Sequence, residues 1–227
     1  MIKIIYKTKD YVFINKSPGV PSQSDKSGDE DAMTLTSRQL KVSGESDSLF
    51  LINRLDRGVG GLMIFARNKK YAAILSSLVA EHSFTKEYFA IIDGIAEGGH
   101  MVDYIYKDSI LNKAFVTDRK RNGVKEAVLD YVILDTVNLE KGRTLSLVKV
   151  MPKTGRFHQI RVQFASRKMP LVGDKKYGSK DSLSRVPALF ASKLAFDSRG
   201  IKADVSCLPD LNTYPWSLFE KEKYKDG

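Results

Sequence analysis

A single aspartate set between two arginines carries most of the chemical promise of this sequence. In NRLDRGVGGLMIFARN, residues 53–68, Asp56 lies between Arg54 and Arg57, and three glycines follow within five residues. Glycines at that density permit positive φ or close backbone approach, and the apolar run at residues 62–65 then enters the core as a strand. An aspartate delivered this way stands at the rim of a rigid element, where it is a candidate nucleophile. On spacing alone, the plainer reading is a surface ion pair with its arginines. Asp93, at the end of the strand-like IIDG, offers a second carboxylate, as a two-carboxylate glycosidase requires, but no motif surrounds it. His158 followed by Gln159 has the look of a general base and its partner. The three histidines, His82, His100 and His158, are far apart, and Cys207 is the one cysteine. That spacing predicts no metal site and no intramolecular disulfide.

Three further segments join the aspartate in order along the chain: FTKEYFAIIDG at 84–94, KTGRFHQIRVQF at 153–164 and PLVGDKKYG at 170–178. With RLDRGVGGLMIFARN, and with INKSPGVPSQ near the start, they resemble the motifs of the RluA-type RNA pseudouridine synthases over residues 3–205. The resemblance implies the pseudouridine synthase catalytic fold without an S4 module. It implies a reaction, needing no cofactor, that breaks the N-glycosidic bond of a uridine in ribosomal or transfer RNA, rotates the base and rejoins it through C5. On matched positions, Asp56 is the catalytic aspartate, Arg161 its basic partner, and Tyr88 the tyrosine that stacks on the base and takes part in late proton transfer. Arg54 matches the arginine that helps expel the target nucleotide and fill the space it leaves. Arg57, Lys86 and Arg156 are expected to contact RNA, and Ile160 to wall the base pocket. His158 and Gln159 are assigned to packing or hydrogen bonding. Asp174, in the GDKKYG turn, is expected to bond backbone amides. The chain departs from the pattern where Asn53 replaces a histidine and residues 58–60 replace an Asp-Thr-Ser turn. An alternative that those changes motivate is a catalytically weak or inactive RNA-binding or RNA-chaperone protein on the same scaffold.

The elements that must position these residues are legible in part. Residues 2–16 read as two strands closed by a Pro and Gly turn. The segment 22–31, SQSDKSGDED, has no apolar residue and reads as a flexible, solvated loop. Asn68 is a good N-cap for a helix whose Tyr71, Ile74, Leu75, Leu78 and Val79 share a face. EYFAIIDG, AVLDYVIL and RTLSLVKVM read as three strands, and FHQIRVQFASRK as a second helix with Phe157, Ile160 and Phe164 on one side. Beyond PLVGDKKYG the chain reads as loop and strand, with 206–227 a C-terminal extension. The sum is an α+β fold, a mixed and largely antiparallel sheet flanked by helices, in a single catalytic domain over 1–227.

Bulk composition bounds the partners. Thirty-seven Lys and Arg against 27 Asp and Glu give a net charge of +10, which favours a polyanion, nucleic acid first. No apolar run approaches the ~20 residues needed to span a bilayer. The N-terminus lacks the apolar region and cleavage site of an export signal, so the expectation is a cytoplasmic monomer that acts on RNA, away from membranes.

Overall fold

The computed structural model describes residues 1–120 and 122–224. In chain order the elements are β1 (Ile2–Lys7), β2 (Tyr11–Lys16), α1 (Ala32–Val42), β3 (Phe50–Leu51), β4 (Gly60–Ala66), α2 (Lys69–Ala80), β5 (Thr85–Asp93) and β6 (Gly99–Asp108). They continue with β7 (Lys113–Val116), β8 (Val124–Asn138), β9 (Thr144–Pro152), α3 (Gln159–Ser166), β10 (Leu189–Ser198) and β11 (Ile201–Ser206), with short 3-10 turns between and after them. The chain divides into two compact units, Met1–Lys86 with Phe190–Pro209 and Glu87–Leu189 with Asp210–Gly227. Residues 225–227, the end of the expected extension, lie outside the described residues.

In the first unit β1, β2, β4 and β10 are neighbours in that order, with β11 beside β10 and β3 beside β4. β2 pairs antiparallel with both β1 and β4, whereas β10 runs parallel to β4 through Phe190↔Gly60 and Ala191↔Gly61. Every residue of β4 is buried, which is why GGLMIFA reads as a continuous apolar run and not as an alternation. Phe13, Leu62, Ile64, Leu75, Leu78, Phe84 and Phe196 form the core here. Helix α2 is the one expected from the sequence: the Asn68 side chain accepts from the Tyr71 amide at 3.0 Å, and Leu75 and Leu78 are its buried residues.

Helix α1 was not anticipated. Its buried residues are Ala32, Thr36 and Leu40, a file so narrow and so small that periodicity carries little of it, and Asp31 caps it by accepting from the Thr34 amide at 3.0 Å. Asp31 therefore belongs to a helix start and is buried, as is Ser22 at the other end of the polar segment. Only the stretch between them, 23–30, is exposed throughout, so the expected loop is shorter than 22–31.

In the second unit β5 pairs with β9, β9 with β8, β8 with β6 and β6 with β7, all antiparallel. The long β6 and the β6–β7 hairpin were also missed. Helix α3 lies over one face of these strands, where Val162 packs with Ile105, Ala114, Ala127 and Tyr177. It starts at Gln159, later than its sequence pattern implies, so Phe157 lies outside it and stacks on His158 at 3.8 Å between ring centroids. Among the described residues no helix is long and apolar enough to cross a membrane.

Candidate active site

The turn that carries Asp56 is built by reciprocal hydrogen bonds in the first unit. The Leu55 amide donates to Ser22 Oγ at 3.0 Å, and that hydroxyl donates back to the Leu55 carbonyl at 2.7 Å. The Val59 amide then donates to the Asp56 carbonyl at 2.9 Å, closing a tight turn immediately before β4. Asn53, where the family pattern has histidine, accepts from the Ile64 amide through Oδ1 at 2.9 Å and so ties the incoming strand to β4. Leu55 is buried, Asp56 half-buried, and Arg54 and Arg57 are exposed. The alternation turns one apolar side chain inward and leaves the carboxylate at the rim.

Two glycines back this turn. Gly61 has φ +114°, and a Cβ there would stand 2.3 Å from the Ala191 carbonyl oxygen. A Cβ on Gly60 would meet Pro18 Cδ at 3.0 Å and the Phe190 ring at 3.2 Å. The close backbone approach expected of this glycine cluster is thus made by β10 and the Pro18 turn.

Lys16 is the residue that motif reading passed over. It is fully buried, and its ammonium donates to three carbonyls, those of Val20 at 2.8 Å, Ser17 at 3.2 Å and Arg57 at 3.3 Å. Burial lowers its pKa to about 8, against the opposing pull of the Asp56 carboxylate. This buried cation binds the backbone of the residue after Asp56 and adds a positive field that the Asp56 carboxylate opposes. The signal was present in the sequence as the lysine of INKSPG, at the end of a strand that is apolar up to Asn15.

Arg57, expected to contact RNA, has commitments inside the protein: its guanidinium pairs with Asp29, and Nε donates to the Gly19 carbonyl at 3.0 Å. The hydrogen bond from Arg57 holds the Asp29 carboxyl below its usual range. Lys86 is half-buried, and burial lowers its pKa.

In the second unit Tyr88 is half-buried on β5 opposite Val150, while its neighbour Phe89 points to the other face against Tyr224, ring centroids 5.2 Å apart. Arg161 is buried in α3. Its Nε donates to Asp174 Oδ2 at 2.7 Å and its Nη2 to Asp174 Oδ1 at 2.9 Å, and its guanidinium lies 5.1 Å from the Tyr177 ring centroid. The expectation for Asp174 is corrected here: both carboxylate oxygens hold a guanidinium, and the side chain caps no amide of the 3-10 turn it precedes. Ile160 is buried beside Arg161. Gln159 accepts from the Thr154 hydroxyl and the Arg156 amide and donates to the Val128 carbonyl, which anchors the KTGR loop to β8. Arg156 Nε donates to the Glu126 carbonyl at 2.7 Å.

The remaining candidates for chemistry are accounted for by structure. His158, in a left-handed conformation at φ 53°, places Nδ1 2.8 Å from the Tyr177 hydroxyl, whose oxygen also accepts from the Ala114 amide at 2.8 Å. This is the hydrogen-bonding role expected of it. Asp93 is held by Arg143 through Nε at 3.0 Å and Nη2 at 2.8 Å, so the second carboxylate of a glycosidase pair is spent on an ion pair. Burial pushes the Cys207 thiol up to about 12, which leaves no thiolate nucleophile. Among the described residues no group of three or more His, Cys, Asp or Glu is arranged to hold a metal ion.

Comparison with known proteins places this geometry. Residues 10–166 match the family model described as RNA pseudouridylate synthase. An uncharacterised RNA pseudouridine synthase of Haemophilus influenzae is 31% identical over 216 residues, 94% of this chain and 90% of that protein. The tRNA pseudouridine synthase C of Haemophilus ducreyi is 34% identical over 78% of this chain and 74% of its own length. The fold is similar to that of the human RNA pseudouridylate synthase domain-containing proteins 1 and 4, at TM-scores of 0.76 and 0.74, each with 24% identity. The former likeness covers 95% of this chain and 86% of the human one, the latter 92% and 89%. The match spans the Lys16 clamp, the Asp56 turn, β5 and the whole of α3, and on it the chain belongs to the RNA pseudouridylate synthase family.

Proposed function

We propose that the chain converts uridine to pseudouridine at a site in structured RNA, transfer or ribosomal, with Asp56 as the nucleophile. The observation that carries this reading is the Asp56 turn itself, a half-buried carboxylate beside a buried, charged Lys16, on a backbone locked by Ser22 and by the glycines of β4. The carboxylate attacks as the bond between N1 and C1′ breaks, the detached uracil turns within its pocket, C5 bonds to C1′ as the carboxylate is released, and the proton lost from C5 is balanced by one taken up at N1. Tyr88 is positioned on a rigid strand to stack on the base and to take part in that proton transfer. Arg161, whose guanidinium is held by Asp174, stands at the position where the family pattern has the basic partner of the catalytic aspartate. Arg54 occupies the space the target nucleotide leaves, which offsets part of the few kcal/mol that extrusion costs. Relatives named for both kinds of RNA support the choice of target class: tRNA pseudouridine synthase C in Haemophilus ducreyi, and ribosomal large subunit pseudouridine synthase D in Borreliella burgdorferi, 29% identical over 86% of this chain and 61% of its own length.

The test is to incubate the protein with total cellular RNA and map carbodiimide-modified pseudouridine by primer extension. New stops are expected with the wild type and none with Asp56→Ala, whose RNA affinity stays near wild type. A wild-type protein that produces no new stop on any transfer or ribosomal RNA overturns the assignment.

A further inference from the structure

The β6–β7 hairpin has no place in the motif chemistry, yet its tip is constructed with care. Asp108 Oδ1 accepts from the amides of both Ile110 and Leu111, each at 2.9 Å, so the turn is fixed by its own side chain. The product of that fixation is an exposed apolar pair: Ile110 is 96% and Leu111 60% accessible. A folded chain gains nothing by rigidly presenting two such side chains to water. Two lysines flank the tip in the hairpin and a third reaches its backbone. Lys107 lies 4.6 Å from the Phe157 ring centroid, Lys113 5.5 Å from that of Phe115 and 5.2 Å from that of Tyr177, and Lys176 donates to the Asn112 carbonyl at 3.0 Å. Lysines steadied on rings and carbonyls lose little side-chain entropy when they meet an anion. The tip's own acid, Asp108, has its Oδ1 turned to the backbone.

We propose that the tip of this hairpin is a second RNA contact, in which Ile110 and Leu111 wedge against an unstacked or terminal base step while Lys107, Lys113 and, from the neighbouring GDKKYG turn, Lys176 neutralise the flanking phosphates. An apolar wedge bracketed by cations fits RNA in both respects: base faces are apolar and the backbone is polyanionic. A partner protein with a merely acidic surface leaves the wedge unused, and a purely apolar partner leaves three ammonium groups to be desolvated. The proposal rests on the reading that the chain acts on RNA.

The experiment measures fluorescence-anisotropy binding of the full chain to a labelled, structured transfer-RNA transcript at several salt concentrations, together with single-turnover pseudouridine formation on the same RNA. All the substituted side chains are exposed or half-buried, and unchanged thermal unfolding confirms that each variant folds. The triple variant Lys107→Gln, Lys113→Gln, Lys176→Gln is expected to flatten the slope of log affinity against log salt by about two. The double variant Ile110→Ser, Leu111→Ser is expected to weaken binding several-fold at an unchanged slope. Both leave the single-turnover rate at saturating RNA within twofold of wild type. Wild-type affinity and slope in both folded variants overturn the proposal and leave the functional reading standing. So does a double variant whose only change is loss of self-association in sedimentation. A wild-type protein that binds no RNA overturns both together.

Discussion

The guanidinium of Arg161 meets the carboxylate of Asp174 in a two-pronged pair, Nε to Oδ2 at 2.7 Å and Nη2 to Oδ1 at 2.9 Å, with both side chains almost wholly out of solvent. Removing one member of such a pair leaves a buried charge uncompensated, which costs about 3–5 kcal/mol. Asp174→Ala is therefore expected to lower the free energy of unfolding by that order in urea titrations. The fraction that folds should form pseudouridine more slowly than wild type, because Arg161 is no longer held.

Lys16 gives the protein an alkaline signature. Its folded pKa, about 8, lies below the ordinary lysine value of 10.5 because burial disfavours the ammonium. The unfolded chain thus binds this proton more tightly than the folded one. Below about pH 8 both states carry it and the burial penalty is felt in full; as pH rises from about 8 to 10.5 the penalty is relieved, so this group's contribution to stability increases with pH by up to about 3 kcal/mol. Urea titrations across that range should show wild type gaining relative to Lys16→Met. Activity moves the opposite way: once Lys16 loses its proton, Asp56 loses a neighbouring cation, and the wild-type rate is expected to fall above about pH 8 while that of Lys16→Met stays flat through the window.

Gly61 and Gly44 separate backbone conformation from close approach. Both have positive φ, +114° and +72°, but a Cβ on Gly44 meets nothing within 4 Å whereas one on Gly61 stands 2.3 Å from the Ala191 carbonyl. Gly44→Ala is expected to cost about 1 kcal/mol. Gly61→Ala must also push β10 away from β4 and is expected to cost roughly 3 kcal/mol or more. Chemical denaturation of the two variants side by side measures the difference.

Arg54 and Arg57 flank the same aspartate and should behave differently. Arg57 is engaged with Asp29 and Gly19 inside the protein, while Arg54 is exposed on the opposite side of the turn sequence. Arg54→Ala is expected to raise KM for RNA and to reduce the salt slope of binding by about one. Arg57→Ala should leave that slope unchanged, with the loop at 23–30 becoming more susceptible to limited proteolysis.

What the sequence disclosed was governed by how much each feature depends on local pattern. Helix α2 was readable because an N-cap and a wide apolar stripe coincide, and β4 because burial on both faces makes an unbroken apolar run. Helix α1 escaped because Ala32 and Thr36 suffice to fill its narrow contact. Asp56 stood out only through its motif, since a carboxylate between arginines is chemically ordinary until its neighbours are known. Asp174 and Lys16 were underestimated for the opposite reason: the Asp174 carboxylate holds a guanidinium 13 residues away, and the Lys16 ammonium, besides two nearby carbonyls, reaches that of Arg57, 41 residues away, pairings that only the folded chain makes.

The parallel pairing of β10 with β4 also sets a schedule. Gly61 and its partner Ala191 are separated by 130 residues (191 − 61), so a ribosome working at about 5–20 residues per second needs on the order of ten seconds to supply the second strand after the first. Through that interval the edge of β4 that Gly60 and Gly61 hold open has no neighbour, and the backing of the Asp56 turn is incomplete. The nascent first unit is therefore a waiting assembly with an adhesive margin, and a slow codon or an amino-acid shortage within residues 67–189 prolongs the time in which a foreign strand can occupy the place reserved for β10.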